Sequence, residues 1–308
     1  MDEFQLIQHY FVRANEAKGV ITGIGDDGAV LRPDANLDLV AVIDTLVEGV
    51  HFPADLDAAD IAFRAVAVNL SDIAAMGARP RWMTLALTLS QADEAWLDAF
   101  ATGLFDAASE HDVALVGGDM TSGEKMVVSV QITGDVGKDA AILRSGASAG
   151  DTIYVTGTVG DAAAGLELMS AGRSDSYLQS RFCRPSARVH YGQSLSGFAS
   201  AAIDVSDGLF GDLGKLLAAS SVGAEIDLRE LPLSAALQSN FDAESQRRFA
   251  LSGGDDYELC FTAAGDSLPD AGDLRITPIG QVTSGESLVC RDESGIVECE
   301  DSGYLHFQ

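Results

Sequence analysis

Apolar and polar positions in this chain alternate in two rhythms. The segment 81–89, RWMTLALTL, reads as a strand, and so do DVALVGGD and EKMVVSVQITGDV further on. LDLVAVID, 37–44, is an apolar run closed by an acid, which predicts a buried strand. A longer period appears in 57–77, DAADIAFRAVAVNLSDIAAMG, which is apolar nearly all round. It predicts a long buried helix stopped by Gly77. Leu97, Phe100, Leu104 and Ala108 recur at helical spacing and predict a helix over 92–111. Residues 2–17 read as an amphipathic helix.

The small, glycine-rich segment KDAAILRSGASAGD, 138–151, is the candidate boundary, dividing the chain into 1–143 and 144–308. Beyond it, DTIYVTG is a strand, and helical patterns follow near 160–171 and 186–197. AAIDVSDGLFGDLGKLLAAS is a strand running into a helix. GAEIDL, DYELCFTA, RITPIGQV and SLVCRD complete the alternation. Each half mixes helices and strands, so two α/β domains are expected. Short phrases recur between the halves, NLSD with DVSD and LVGGD with LSGGD.

Charge narrows the partners. With 47 acidic against 19 basic residues among 308, the formal net charge is −28, a surface that repels nucleic acid and anionic membranes. No apolar run is long enough to span a bilayer. The opening MDEFQLIQHYF carries acids where a secretory leader carries Lys or Arg. The four cysteines, Cys183, Cys260, Cys290 and Cys299, form no C-x-x-C pair. A reduced, cytoplasmic protein without a zinc site is expected.

GIGDDGAV, 23–30, matches G-x-G-x-x-G at Gly23, Gly25 and Gly28. A dinucleotide loop needs a helix next, to receive the pyrophosphate at its N-terminus. Here Pro33 and the turn-like PDAN follow at once, leaving no room for one. GASAG, 146–150, matches G-x-S-x-G but precedes a strand, whereas a nucleophile elbow lies between a strand and its helix. A Walker A loop and the protein-kinase motifs are absent from the sequence.

What survives is a set of aspartates placed just after apolar segments: Asp26, Asp27, Asp44, Asp72, Asp119, Asp204, Asp207 and Asp255. Singly, each reads as a turn or helix-cap residue. Asp72 is harder to dismiss, because an ionised carboxylate in an apolar helix is costly unless paired or metal-bound. An ion pair with Arg64 is the structural alternative, with Asp60 competing for the same guanidinium. Together the aspartates suit a hard dication. Mg²⁺ takes oxygen ligands and is usually held by one or two carboxylates plus substrate phosphates.

In order along the chain, GIGDDGAV, DTLVEGVHF, AVNLSDIAAMGARP, LVGGD, YVTGTVGD, IDVSDGL and LSGGDDYEL resemble the thiamine-monophosphate kinases, a family of the aminoimidazole-ribonucleotide-synthetase-like superfamily. The resemblance runs from about Phe4 to Phe307. It implies a homodimer of two-domain α/β chains, with the N-terminal sheet joining that of its dimer mate and a mixed sheet in the C-terminal domain. It implies transfer of the γ-phosphoryl group of ATP to thiamine monophosphate with several Mg²⁺ ions. Carried over residue by residue, it implies metal ligands at Asp27, Asp44, Asp72, Asp119, Asp204 and Asp207, with backbone help at Val42 and Ile43. ATP contacts fall at Gly118, Asp119, Arg144 and Ser206, and substrate contacts at His51, Asp255 and Tyr304. No residue is implied as a general base.

The chain departs from the family pattern at three points. Ile43 stands for a usual Thr, Asp255 for a usual Glu, and Leu305 for a usual Asp. Sibling enzymes fit less well. Selenophosphate synthetases carry a reactive residue near the N-terminus, whereas the first cysteine here is Cys183, and the hydrogenase-maturation relatives end in a functional cysteine, whereas this chain ends YLHFQ. The aminoimidazole ribonucleotide enzyme differs at DTLVEGVHF. A non-catalytic metal or nucleotide sensor would need degraded ligands, and the six aspartates are intact.

Overall fold

The computed structural model describes residues 3–13, 17–265, 267–297 and 299. The chain divides into two compact units, one of residues 1–73 and 78–139, the other of 74–77 and 140–308.

The first unit begins with α1 (Glu3–Leu6), which continues as a π-helical turn, Ile7–Phe11. The expected helix over 2–17 stops there, since Val12 is already extended. A two-stranded ribbon follows, β1 (Val20–Thr22) with β2 (Val30–Leu31). The glycine-rich stretch between them leads into strands and not into a helix, which removes the dinucleotide reading. Next come β3 (Leu37–Val47), α2 (Ala58–Ala75), β4 (Arg79–Leu89), α3 (Glu94–Ser109), β5 (Ala114–Ser122) and β6 (Val127–Gly137). Asp93 caps α3 by accepting the Trp96 amide at 2.8 Å. Gly77, at φ +65°, supplies the left-handed residue that ends α2.

The sheet order is β3-β6-β4-β5, antiparallel except for β4 with β5. Its two faces differ. Val128, Val130 and Ile132 of β6 are buried, whereas Ser129, Gln131 and Thr133, which alternate with them, are half-exposed. The helices cover the apolar face. A Cβ on Gly134 would meet the Ile73 side chain of α2 at 3.1 Å, and one on Gly103 of α3 would meet the Ala59 carbonyl of α2 at 1.9 Å. The other face is open. The run 37–44, expected as a buried strand, is instead an edge strand with Leu39 51% and Ile43 65% exposed.

The second unit runs β7 (Thr152–Thr156), α4 (Asp161–Ser170), α5 (Ser176–Cys183), α6 (Val189–Ser194), β8 (Ala199–Asp204), α7 (Leu209–Ser220), β9 (Gly223–Asp227), α8 (Ala235–Asn240), α9 (Ala243–Ser252), β10 (Leu259–Ala263), β11 (Ile276–Thr283), β12 (Leu288–Asp292) and β13 (Gly295–Val297). Its seven-stranded mixed sheet has the order β13-β12-β9-β11-β7-β10-β8. Among the described residues only β9 and β12 pair in parallel in this sheet. Leu209, Leu213, Leu216 and Leu217 of α7 pack against Ile153, Val155, Ile203, Ile226 and Cys260 of the strands. A smaller cluster, Ala164, Leu168, Leu178, Leu237 and Phe249, joins α4, α5, α8 and α9.

Candidate functional site

In the first unit the candidate ligands are spread across the sheet. Asp44 lies on β3 opposite Val130, on the helix-covered face with Val40 and Leu46, and is half-buried. Val42 shares that face, and Ile43 points from the open one. Asp119 lies on β5 opposite Ala86 and is exposed. Residues 44 and 119 thus stand on the two edge strands with β6 and β4 between them, roughly 14 Å at normal strand spacing. Asp72 on α2 is half-buried, not enclosed as the apolar pattern of its helix suggested. Asp27 is exposed, its amide donating to Asp26 Oδ1 at 2.9 Å. Gly118 lies so close to β4 that a Cβ would meet the Leu85 carbonyl oxygen at 2.0 Å, so only glycine fits beside Asp119.

His51 follows β3, and its Nδ1 accepts the Val47 amide at 3.0 Å. That bond fixes the neutral ring with its proton on Nε2, a donor suited to a phosphate oxygen.

In the second unit the candidates converge. Asp204 ends β8 and is buried, with Ser206 and Asp207 in the turn that follows. Asp255 joins them, its amide donating to the Ser206 carbonyl at 2.8 Å. Four of the sequence-predicted residues are thereby gathered at one end of β8 and β10. Arg144 is exposed, and its carbonyl accepts Ser220 Oγ at 3.0 Å. The same hydroxyl takes the amides of Gly146 and Ala147, tying this segment to the end of α7. Tyr304 lies outside the described residues.

Sequence reasoning passed over the groups that fix this second set. Asp212 Oδ2 accepts the amides of Ser206 and Asp207, each at 2.9 Å. Lys215 Nζ bridges Asp207 Oδ2 at 2.5 Å and Asp212 Oδ1 at 2.8 Å. Burial holds the Asp212 carboxyl above its ordinary value, with Lys215 pulling the other way. Burial also works against the Lys215 ammonium, but its hydrogen bonds to Asp207 and Asp212 outweigh it and the pKa is raised.

Behind Asp255 lies a second frame. Glu258 is fully buried and accepts Arg181 at 2.8 Å, Arg188 Nε at 2.6 Å and Thr156 Oγ1 at 2.7 Å. Asp256, also fully buried, accepts the Gly160 and Ala162 amides at the start of α4, at 2.6 and 3.3 Å. Burial pushes the Asp256 carboxyl up to about 8. The signal for these residues was present. Asp212 is an acid within an apolar helix, the argument applied to Asp72, and DDYELCF sets two acids at strand spacing inside an apolar run.

The residues suit a hard dication. The donors are oxygen only, and the Lys215 ammonium already sits on Asp207 as a cation would. Among the described residues, no three or more His, Cys, Asp or Glu side chains gather closely enough to hold a metal ion. Among the described residues, no helix is long and apolar enough to cross a membrane.

Comparison with known proteins points one way. Residues 25–136 match the N-terminal domain of AIR synthase related proteins, and residues 148–293 match the C-terminal domain. The chain is 46% identical to the thiamine-monophosphate kinase of Escherichia coli K12, covering 99% of this chain and 98% of that one. The crystal structure of thiamine-monophosphate kinase from Stenotrophomonas maltophilia K279a superposes with a TM-score of 0.86 at 45% identity, covering 92% of this chain and 93% of that one. A structure of AaThiL complexed with AMPPCP and TMP superposes with a TM-score of 0.80 at 32% identity, covering 92% of each chain.

Proposed function

The chain belongs to the thiamine-monophosphate kinases of the AIR synthase related family, and from that premise we propose that it phosphorylates thiamine monophosphate to thiamine diphosphate by in-line transfer of the γ-phosphoryl group of ATP. The full-length match to relatives of that name carries the reading, since one solved relative holds AMPPCP together with TMP.

The acceptor is a phosphate monoester with a second pKa of about 6, so it is largely dianionic at neutral pH and attacks without a general base. What the protein must supply is alignment and charge. Both substrates are anions and the chain is strongly acidic, so binding needs dications. Mg²⁺, when bound, neutralises the polyphosphate and stabilises charge on the transferring group. Asp27, Asp44, Asp72 and Asp119 in one unit and Asp204 and Asp207 in the other are the residues that would hold it. Gly118 and Ser206 contact ATP, and the Arg144 guanidinium offers its planar fork to the ATP phosphates. The His51 Nε2 proton meets the acceptor phosphate. Asp255 faces the cationic thiamine, and Tyr304 stacks on one of its rings.

The active form is a homodimer joined through the open side of the first unit. Leu39 and Ile43, exposed apolar residues on the open face of the edge strand β3, support that reading. Free thiols at Cys183, Cys260, Cys290 and Cys299 support a reduced, cytoplasmic setting.

The test is thiamine diphosphate formation from ATP and thiamine monophosphate, with and without Mg²⁺, followed by chromatography. Product that requires Mg²⁺ supports the reading. No product, or ATP turnover with aminoimidazole precursors alone, overturns it.

A further inference from the structure

The loop between α9 and β10, Gly253 to Glu258, takes an unusual path. Gly254, Asp255 and Tyr257 have φ of +68°, +63° and +52°. Two of these are not glycine, and left-handed backbone at an ordinary residue costs on the order of 1 kcal/mol or more. Such a path persists only if its surroundings impose it. Here Asp256 and Glu258 do so, each fully buried and held by backbone amides, arginines or a threonine from β7, α4, α5 and the segment before α6. On the other side the loop is stitched to the β8 turn. The Tyr257 amide donates to the Val205 carbonyl at 2.9 Å, and the Val205 amide donates to the Glu258 carbonyl at 2.8 Å.

The two anchors alternate with Asp255 and Tyr257. The Tyr257 ring is buried, and its hydroxyl donates to Asp255 Oδ1 at 3.1 Å. A buried tyrosine needs a partner for its hydroxyl. Here that partner is a half-buried carboxylate, so the bond limits the rotation of Asp255.

We infer that Tyr257 is a positioning residue that aims the Asp255 carboxylate at the cationic part of thiamine phosphate. This rests on the reading of Asp255 as a substrate contact. The frame of Asp256 and Glu258 sets where the loop runs, and Tyr257 sets where its half-buried carboxylate points. Tyr257 itself touches no substrate.

The test is a double-mutant cycle on the full-length enzyme. Tyr257→Phe keeps the ring and removes only the hydroxyl. Asp255→Gly removes the carboxylate at a φ that glycine adopts freely. Steady-state kinetics are measured against thiamine monophosphate at saturating ATP and Mg²⁺, alongside the KM for ATP and the urea midpoint. Tyr257→Phe is expected to raise the KM for thiamine monophosphate about ten-fold, the scale of a hydrogen bond to a charged group. The KM for ATP and the urea midpoint should stay put, and the double variant should match Asp255→Gly alone. An unchanged KM in Tyr257→Phe, or a full further loss on adding it to Asp255→Gly, overturns the inference while leaving the role of Asp255 intact. An unchanged KM in Asp255→Gly overturns the substrate role of Asp255, and the role of Tyr257 with it.

Discussion

The two units hold their acids in opposite ways. In the first, Asp27, Asp44, Asp72 and Asp119 are exposed or half-exposed and stand on different elements, with Asp44 and Asp119 on opposite edge strands. In the second, Asp204, Ser206, Asp207 and Asp255 crowd one end of two neighbouring strands. Carboxylates on separate elements repel one another less than neighbouring ones, and the second unit sets cations beside its acids, with Lys215 on Asp207 and Asp212 and with Arg181 and Arg188 on Glu258. The second set is thus held in place by the chain's own hydrogen bonds and ion pairs before any ligand arrives.

The largest consequence falls on activity. Asp44→Ala or Asp72→Ala should lower kcat by at least about 10²-fold, the scale of removing one electrostatic contact to the transferring group. Their urea midpoints should stay near that of the parent, because neither side chain is fully enclosed. Steady-state assay beside urea denaturation checks both halves of that statement, and near-parental activity in either variant would falsify the metal assignment.

In the second unit the order reverses and stability suffers first. Glu258→Gln leaves Arg181 and Arg188 without their carboxylate, and breaking a buried pair of this kind costs about 3–5 kcal/mol. Urea unfolding should report that loss, and a stability equal to the parent would show that the frame is dispensable.

Smaller effects sharpen the contrast. Lys215→Met should lower the Mg²⁺ concentration for half-maximal activity a few-fold, by removing the cation that competes for Asp207. In EDTA the same variant should melt below the parent, since Asp212 loses its cationic partner. A raised Mg²⁺ requirement would mean that Lys215 assists and does not compete. The last effect is a slope with pH. Burial raises the folded-state pKa of Asp256 to about 8, so between the ordinary carboxylate range and 8 the folded chain holds a proton that the unfolded chain has lost. Asp256 therefore makes stability fall as pH rises through that window. Asp256→Asn should flatten the fall, as read from thermal midpoints between pH 5 and pH 8, and an unchanged slope would remove Asp256 as its source.

Much of this was legible in the sequence, for identifiable reasons. The helix over 58–75 and the strand over 79–89 follow from periodicity, because in each the pattern of burial is set by the element itself. The edge position of 37–47 does not follow. An apolar strand reads the same whether its second face is covered by its own chain or left open. The N-terminal helix was overrun because nothing in 2–17 marks the point where Val12 turns extended. Within the site, Asp204, Asp207 and Asp255 stood out by motif. Their partners did not, because Arg181 and Glu258 are 77 positions apart and meet only in the fold. The left-handed backbone at Asp255 and Tyr257 carries no glycine to announce it.

The central claim is that aspartates spread over the chain hold separate dications which bring two anionic substrates together. The direct measurement is the number of Mn²⁺ ions bound per chain in the presence of a nonhydrolysable ATP analogue, counted by electron paramagnetic resonance. The parent should bind more than one, with Asp44→Ala and Asp207→Ala each losing an ion while the other ions remain. A count left unchanged by both substitutions would contradict the account.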